Sequence, residues 1–262
     1  MKTKERINGV WMIENENKEG EYLISIENNL VNNELIDIND QNFKKMMFLY
    51  NSALKEIKTK IEILQDELKI FSDYEPIAYI STRIKKPETI LEKLKRKNLS
   101  LTYGNMFQEI NDIAGIRLVC NFKNDVYKLV KIIEEFQDIR LLNQKDFMKK
   151  PKKSGYMSYH MILEVPVNFS SGIMYVKVEM QLRTIGMDFW ASLEHKLKYK
   201  NPNISKVESN NLIKYAKVIN SIDENMLTIS NRIEKEKQEN ILIEAADNKD
   251  DIKKNKKIFF KL

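Results

Sequence analysis

Lys177, Glu179, Gln181 and Arg183 occupy every second position of one short segment, and Met174, Val176, Val178, Met180 and Leu182 take the positions between them. That alternation is the period of a strand with one face in a core. Its polar face could hold a carboxylate, as metal ligand or general base, beside cations suited to phosphate. An ordinary solvated face has the same pattern. A second carboxylate leads Asp112-Ile113-Ala114-Gly115-Ile116-Arg117. Arg117 there stands among apolar neighbours and needs a partner or a ligand, unless it lies at a strand edge. Residues 149–160 form a basic loop, with Lys149, Lys150, Lys152 and Lys153 around Pro151 and Gly155, then Tyr156, Tyr159 and His160. Lysines with a tyrosine platform suit a phosphorylated base: the ammonium meets phosphate and the ring stacks. A solvated hairpin loop reads similarly. Arg83, Lys85 and Lys86 precede a helix opening near Pro87, whose N-terminus could also attract phosphate.

Other chemistries are excluded by residue type. The chain has one Cys and two His, too few for a disulfide framework, a Cys-based zinc site or a His-rich metal centre. Cys120 follows Ile116-Arg117-Leu118-Val119 and reads as a buried structural thiol. No two glycines have the Walker A spacing, and no G-x-G-x-x-G occurs, so neither standard phosphate loop is present. No apolar run of about 18 residues predicts a transmembrane helix, and no signal peptide is visible. The cytoplasm is the expected location.

The elements that must position these residues can be read from punctuation and period. All five prolines and five of the seven glycines lie between residues 76 and 202. The flanks carry helical spacing instead. Leu54, Ile57, Ile61, Leu64 and Leu68 mark one amphipathic helix; Leu212, Ala216, Ile219, Ile222, Met226, Ile229 and Ile233 mark another. Each packs on the central domain or offers an oligomer interface. Between them, helices are expected at 87–97, 125–136 and 186–199, and strands at 116–121, 139–142, 158–165 and 173–183. This predicts an α/β (α+β) fold, a mixed sheet flanked by helices. Residues 1–40 read as an extension with a short strand near 22–26, residues 41–240 as the functional domain with its flanking helices, and residues 241–262 as a charged, mobile tail.

Taken in order, several segments resemble a known family. They are Arg83-Ile84-Lys85, Asp112 to Arg117, Lys145-Asp146-Phe147, Lys152 with Ser154-Gly155-Tyr156-Met157-Ser158-Tyr159-His160, and Val178-Glu179-Met180-Gln181-Leu182-Arg183-Thr184 followed by Met187 and Phe189-Trp190-Ala191-Ser192-Leu193-Glu194-His195. Over about residues 43–235 the chain resembles the synthetase domain of RelA/SpoT-type enzymes, most nearly the small alarmone synthetases. The resemblance implies a nucleotidyltransferase-like fold and transfer of pyrophosphate from ATP to the 3′-hydroxyl of GDP, GTP or GMP, giving (p)ppGpp and AMP. It implies Asp112 and Glu179 as Mg²⁺ ligands, with Glu179 as general base. It places Arg83, Lys85, Lys93 and Arg117 on ATP, and Tyr156, Lys145, Lys152, His160, Gln181 and Glu194 on the acceptor side. Neither histidine is followed by Asp, as the family's hydrolase site requires, so synthesis without hydrolysis is expected. Asp188 stands where some relatives have Asn. A homo-oligomer, a tetramer before a dimer, is implied for the flanking helices.

Elementary phosphate chemistry points the same way. Phosphoryl-type transfer is mostly positioning and charge neutralisation, done by oxygen-bound Mg²⁺ and cations without His or Cys ligands. Alternatives from the same residues are a non-catalytic RNA- or nucleotide-binding module and another nucleotidyltransferase. The chain of 262 residues carries a net +6, but residues 76–200 hold 22 Lys and Arg against 13 Asp and Glu, a net +9. The segment with every motif is thus the segment able to hold polyphosphate.

Overall fold

A computed structural model describes residues 4–7, 10–13, 34–170, 172–200 and 204–259. The elements run β1 (Lys4–Ile7), β2 (Val10–Ile13), α1 (Gln41–Ser72), β3 (Ile77–Ile84), α2 (Pro87–Arg96), α3 (Tyr103–Glu109), β4 (Ala114–Cys120), α4 (Lys123–Glu134), β5 (Arg140–Asp146), β6 (Tyr159–Phe169), β7 (Gly172–Thr184), α5 (Ile185–Lys200) and α6 (Lys206–Phe259).

β7 is the spine of the sheet. β6 pairs with it antiparallel along its whole length, and β5 pairs antiparallel with β6. On its other side β4 runs parallel over Val178–Thr184, and β3 closes that edge antiparallel to β4. The sheet is mixed, as expected. The other half of that same side of β7 takes β2, through Met12↔Met174 and Ile13↔Ile173, with β1 outside it. The N-terminal extension therefore adds two strands that were not anticipated. Asn8-Gly9, between them in sequence, is a strong hairpin signal. The strand expected near 22–26 lies outside the described residues.

The alternation in β7 sorts as its pattern predicts up to Leu182, whereas Arg183, expected on the half-exposed face, is buried. Met174, Val176, Val178, Met180 and Leu182 are fully buried, while Lys177, Glu179 and Gln181 are half-buried on the other face. α1 covers the apolar face with Phe43, Met46, Leu49, Tyr50, Ala53, Leu54, Ile57, Ile61 and Leu64. Asp40 starts this helix by accepting from the Phe43 amide at 2.6 Å, and Asp73, at φ 46°, ends it. Each fully buried aliphatic side chain here contributes roughly 1.5–3 kcal/mol. One sheet face is thus closed by packing and the other left for chemistry.

α6 is longer than the period alone suggested. Ala216 is buried, with Leu212 and Ile219 packed against Trp190 and Ala191, but Ile222, Met226, Ile229 and Ile233 are about half exposed. The backbone of 241–259 is helical and continuous with α6, which differs from the separate mobile tail expected. β3 and α3 were also unanticipated. In β3 only Ile77 is buried, so no alternation marks it; α3 is seven residues long and includes Gly104 and Asn105.

Candidate active site

Strand register assembles the open face. Ser81, Arg117, Gln181, His160 and Lys145 are successive partners across β3, β4, β7, β6 and β5. The adjoining row is Arg83, Gly115, Glu179, Ile162 and Asn143. Residues separated by 98 positions in sequence, Arg83 and Gln181 among them, thus meet on one surface because five strands are in register. Gly115 lies between Arg83 and Glu179, and a Cβ there would be in ordinary contact with the Arg83 side chain at 3.5 Å.

Two hollows share this surface. The larger, a cleft of 540 Å³, is lined among others by Lys93, Asp112, Lys145, Lys152, Tyr156 and His160, with Arg83, Glu179 and Gln181. The smaller, of 180 Å³, is lined by Ser81, Thr82, Gly115, Ile116 and Arg117, again with Arg83, Glu179 and Gln181. Glu179 therefore stands on the wall between them.

Asp112 is gripped by two lysines. Lys85 Nζ meets Oδ2 at 2.8 Å, and Lys93 Nζ from α2 meets Oδ1 at 2.7 Å. Burial pushes its pKa up, but the two ammonium groups outweigh burial and hold the carboxyl below its usual value. Glu179 takes a hydrogen bond from Gln181 Nε2 at 2.7 Å on Oε2, and His160 Nδ1 lies 3.4 Å from Oε1. Burial raises this group too, and the His160 and Gln181 contacts bring it below its usual value. Both carboxylates are thus ionised at neutral pH. Two carboxylates with no thiol or imidazole cluster suit Mg²⁺, which takes one or two such ligands together with substrate phosphates and water. Among the described residues no group of three or more His, Cys, Asp or Glu comes together.

Tyr156 has cations against its ring: Lys152 Nζ lies 4.7 Å and the Arg183 guanidinium 5.0 Å from its centroid. Lys152 also covers Phe147 at 4.6 Å. The loop carrying Tyr156 is fixed by Gly155, at φ +89°, a conformation available chiefly to glycine. A Cβ at Gly155 would come within 2.8 Å of Ala216 Cβ, so the loop lies directly on α6.

The structure thus brings together Arg83, Lys85, Lys93, Asp112, Arg117, Lys145, Lys152, Tyr156, His160, Glu179 and Gln181. Glu194 is the exception. It pairs with Lys198 one turn along α5 and does not line either hollow. Lys177, first in the polar row, instead donates to the Gln108 carbonyl at 2.7 Å. Cys120 is buried, and burial pushes its thiol up, which leaves it inert. Asn111 and Asn143 line the larger cleft without having been anticipated. Neutral amides give no periodic or charge signal, and only the register brings Asn143 into its row.

Comparison with known proteins fits this geometry. Residues 82–204 match the model of a region found in RelA/SpoT proteins. The chain is 38% identical over 195 residues to GTP pyrophosphokinase YwaC of Bacillus subtilis, covering 74% of this chain and 93% of that one. The crystal structure of small alarmone synthetase 1 from Bacillus subtilis bound to its product pppGpp superposes with a TM-score of 0.69 at 31% identity, covering 74% of this chain and 99% of that one. The same synthetase bound to AMPCPP gives 0.65 at 28% identity, covering 75% of this chain and all of that one. With a mixed sheet, a polar face of carboxylates among cations and similarity over nearly the whole of these relatives, the chain belongs to the RelA/SpoT family and, within it, to the small alarmone synthetases.

Proposed function

We propose that this protein is a (p)ppGpp synthetase, moving pyrophosphate from ATP to the 3′-hydroxyl of GDP or GTP and releasing AMP. The observation that carries this reading is the placement of Glu179 on the wall shared by the two hollows. A base at that wall serves a reaction between two bound nucleotides. The likeness to structures holding pppGpp and AMPCPP supports it.

In this reading ATP lies with its base against Arg117 and its phosphates toward Arg83, Lys85 and Lys93. The guanine stacks on Tyr156, whose ring already has cations against it, and Lys145 and Lys152 meet the acceptor phosphates. Glu179 accepts the proton of the 3′-hydroxyl as the oxygen bonds to the β-phosphorus of ATP. The bond from that phosphorus to the α–β bridging oxygen breaks, and AMP leaves with the electron pair. Asp112 and Glu179 would hold Mg²⁺, which when bound neutralises polyphosphate charge. The two lysines on Asp112 keep it ionised and placed meanwhile.

Turnover with a panel of acceptors tests the reading. GMP, GDP and GTP are each supplied with ATP and Mg²⁺, beside ADP as a control. Product from guanosine nucleotides alone is expected; equal product from ADP, or none from any, would overturn it.

A further inference from the structure

Arg183 and Asp188 are among the few buried charged residues, at 5% and 6% exposure. Their ion pair, Nη1 to Oδ1 at 3.0 Å, joins the end of β7 to the first turns of α5. A buried pair pays a desolvation cost that apolar packing would avoid, so its geometry calls for a use. Arg183 Nη2 donates to the Tyr156 hydroxyl at 2.7 Å and to Gln181 Oε1 at 2.8 Å.

Those two bonds begin two arms that reach Glu179. Arginine has no acceptor, so the Tyr156 oxygen accepts from it, and His160 Nε2 lies 2.9 Å from the same oxygen. His160 Nδ1, on the other side of the ring, lies 3.4 Å from Glu179 Oε1. Gln181, with its carbonyl turned to Arg183, presents its amide N–H to Glu179 Oε2 at 2.7 Å. Two arms from one guanidinium therefore end on the two oxygens of Glu179. Asp188 Oδ1 also holds Arg117 Nη1 at 3.0 Å, and its Oδ2 accepts from the Tyr79 hydroxyl at 2.7 Å. Burial and the Asp188 contact push the Tyr79 hydroxyl up to about 12, so it remains a donor.

We propose that Arg183, locked by Asp188, is the positioning residue of the acceptor half of the site, orienting the Tyr156 platform and both arms that aim Glu179, while Asp188 ties that half to Arg117 on the donor side. This rests on the synthetase reading for what each hollow holds. It makes a split that a merely structural pair would not make. Arg183→Lys keeps the charge, but its single nitrogen cannot replace both Nη1 on Asp188 and Nη2 on Tyr156 and Gln181. Asp188→Asn disturbs both arginines.

The test measures binding of GDP alone and AMPCPP alone by calorimetry, and kcat and KM for each substrate. Arg183→Lys is expected to weaken GDP binding roughly tenfold or more, the scale of a lost charge-assisted hydrogen bond, with AMPCPP within about twofold. Its acceptor KM rises and kcat falls together. Asp188→Asn weakens both ligands. Equal loss of both ligands in Arg183→Lys, or no loss of GDP, overturns the proposal. Should Arg183→Lys fail to fold by circular dichroism, Tyr156→Phe replaces it. Removing that one hydroxyl is expected to weaken GDP selectively, and unchanged GDP binding overturns the proposal. Wild-type turnover reads the synthetase function separately from these binding ratios.

Discussion

At the scale of residues, chemistry here depends on carboxylates kept ionised in a partly buried, cationic surface. Asp112 and Glu179 are each held below the usual carboxylate range, burial in each case being outweighed by Lys85 and Lys93, or by His160 and Gln181. The sign for stability follows. A carboxylate with a lowered folded pKa contributes stability that is complete above its unfolded value and lost as pH falls through its folded one. Asp112→Asn is therefore expected to melt below wild type at pH 7, the gap closing as pH drops below about 3.8. Thermal melts across pH 3–7 check this, and a gap independent of pH would contradict it. Glu179 and Asp112 were legible because one sat in a period-2 polar row and the other before a Gly and an apolar strand. The link from Arg183 to Asp188 was not, because it crosses from β7 to α5 and side-chain direction after a strand end has no sequence period.

Elements divide the labour. α1 buries a continuous stripe against the sheet and leaves the polar face free, as its spacing foretold. α6 does two things along its length. Its first turns pack Ala216 against Gly155 and Trp190 and so support the Tyr156 loop, whereas Ile222, Met226, Ile229 and Ile233 are turned half to solvent. Of the two readings of that helix from its period, packing holds for its first turns. A stripe of this kind, with Tyr215 and Val218 nearby at 58% and 56% exposure, is costly to leave in water. We propose that it joins copies of this chain, four before two. Light scattering is expected to give a multiple of 31.0 kDa for the wild type and a lower multiple for Ile222→Glu/Ile229→Glu. An unchanged mass would exclude this face. Strand β3 illustrates what the sequence conceals: it is recognisable only once β4 lies beside it, since seven of its eight residues are not buried.

Across the molecule, charge and topology coincide. The net +9 of residues 76–200 is gathered around a sheet whose register brings Arg83, Arg117, Lys145 and the Glu179 row together. Fold class and most of the candidate site followed from pattern and resemblance, while the two added strands, β1 and β2, and the two-hollow geometry needed tertiary pairing. Among the described residues no helix is long and apolar enough to cross a membrane. The proposed reaction is a transfer between two nucleotides with Glu179 between them. Its most direct measurement supplies ATP labelled on the β-phosphate, a guanosine nucleotide and Mg²⁺, and follows the label. Label is expected in the guanosine product, with AMP formed in equal amount and at least a hundredfold loss in Glu179→Gln, the lower range for removing a general base. Label appearing in ADP or free phosphate, or full activity in Glu179→Gln, would contradict it.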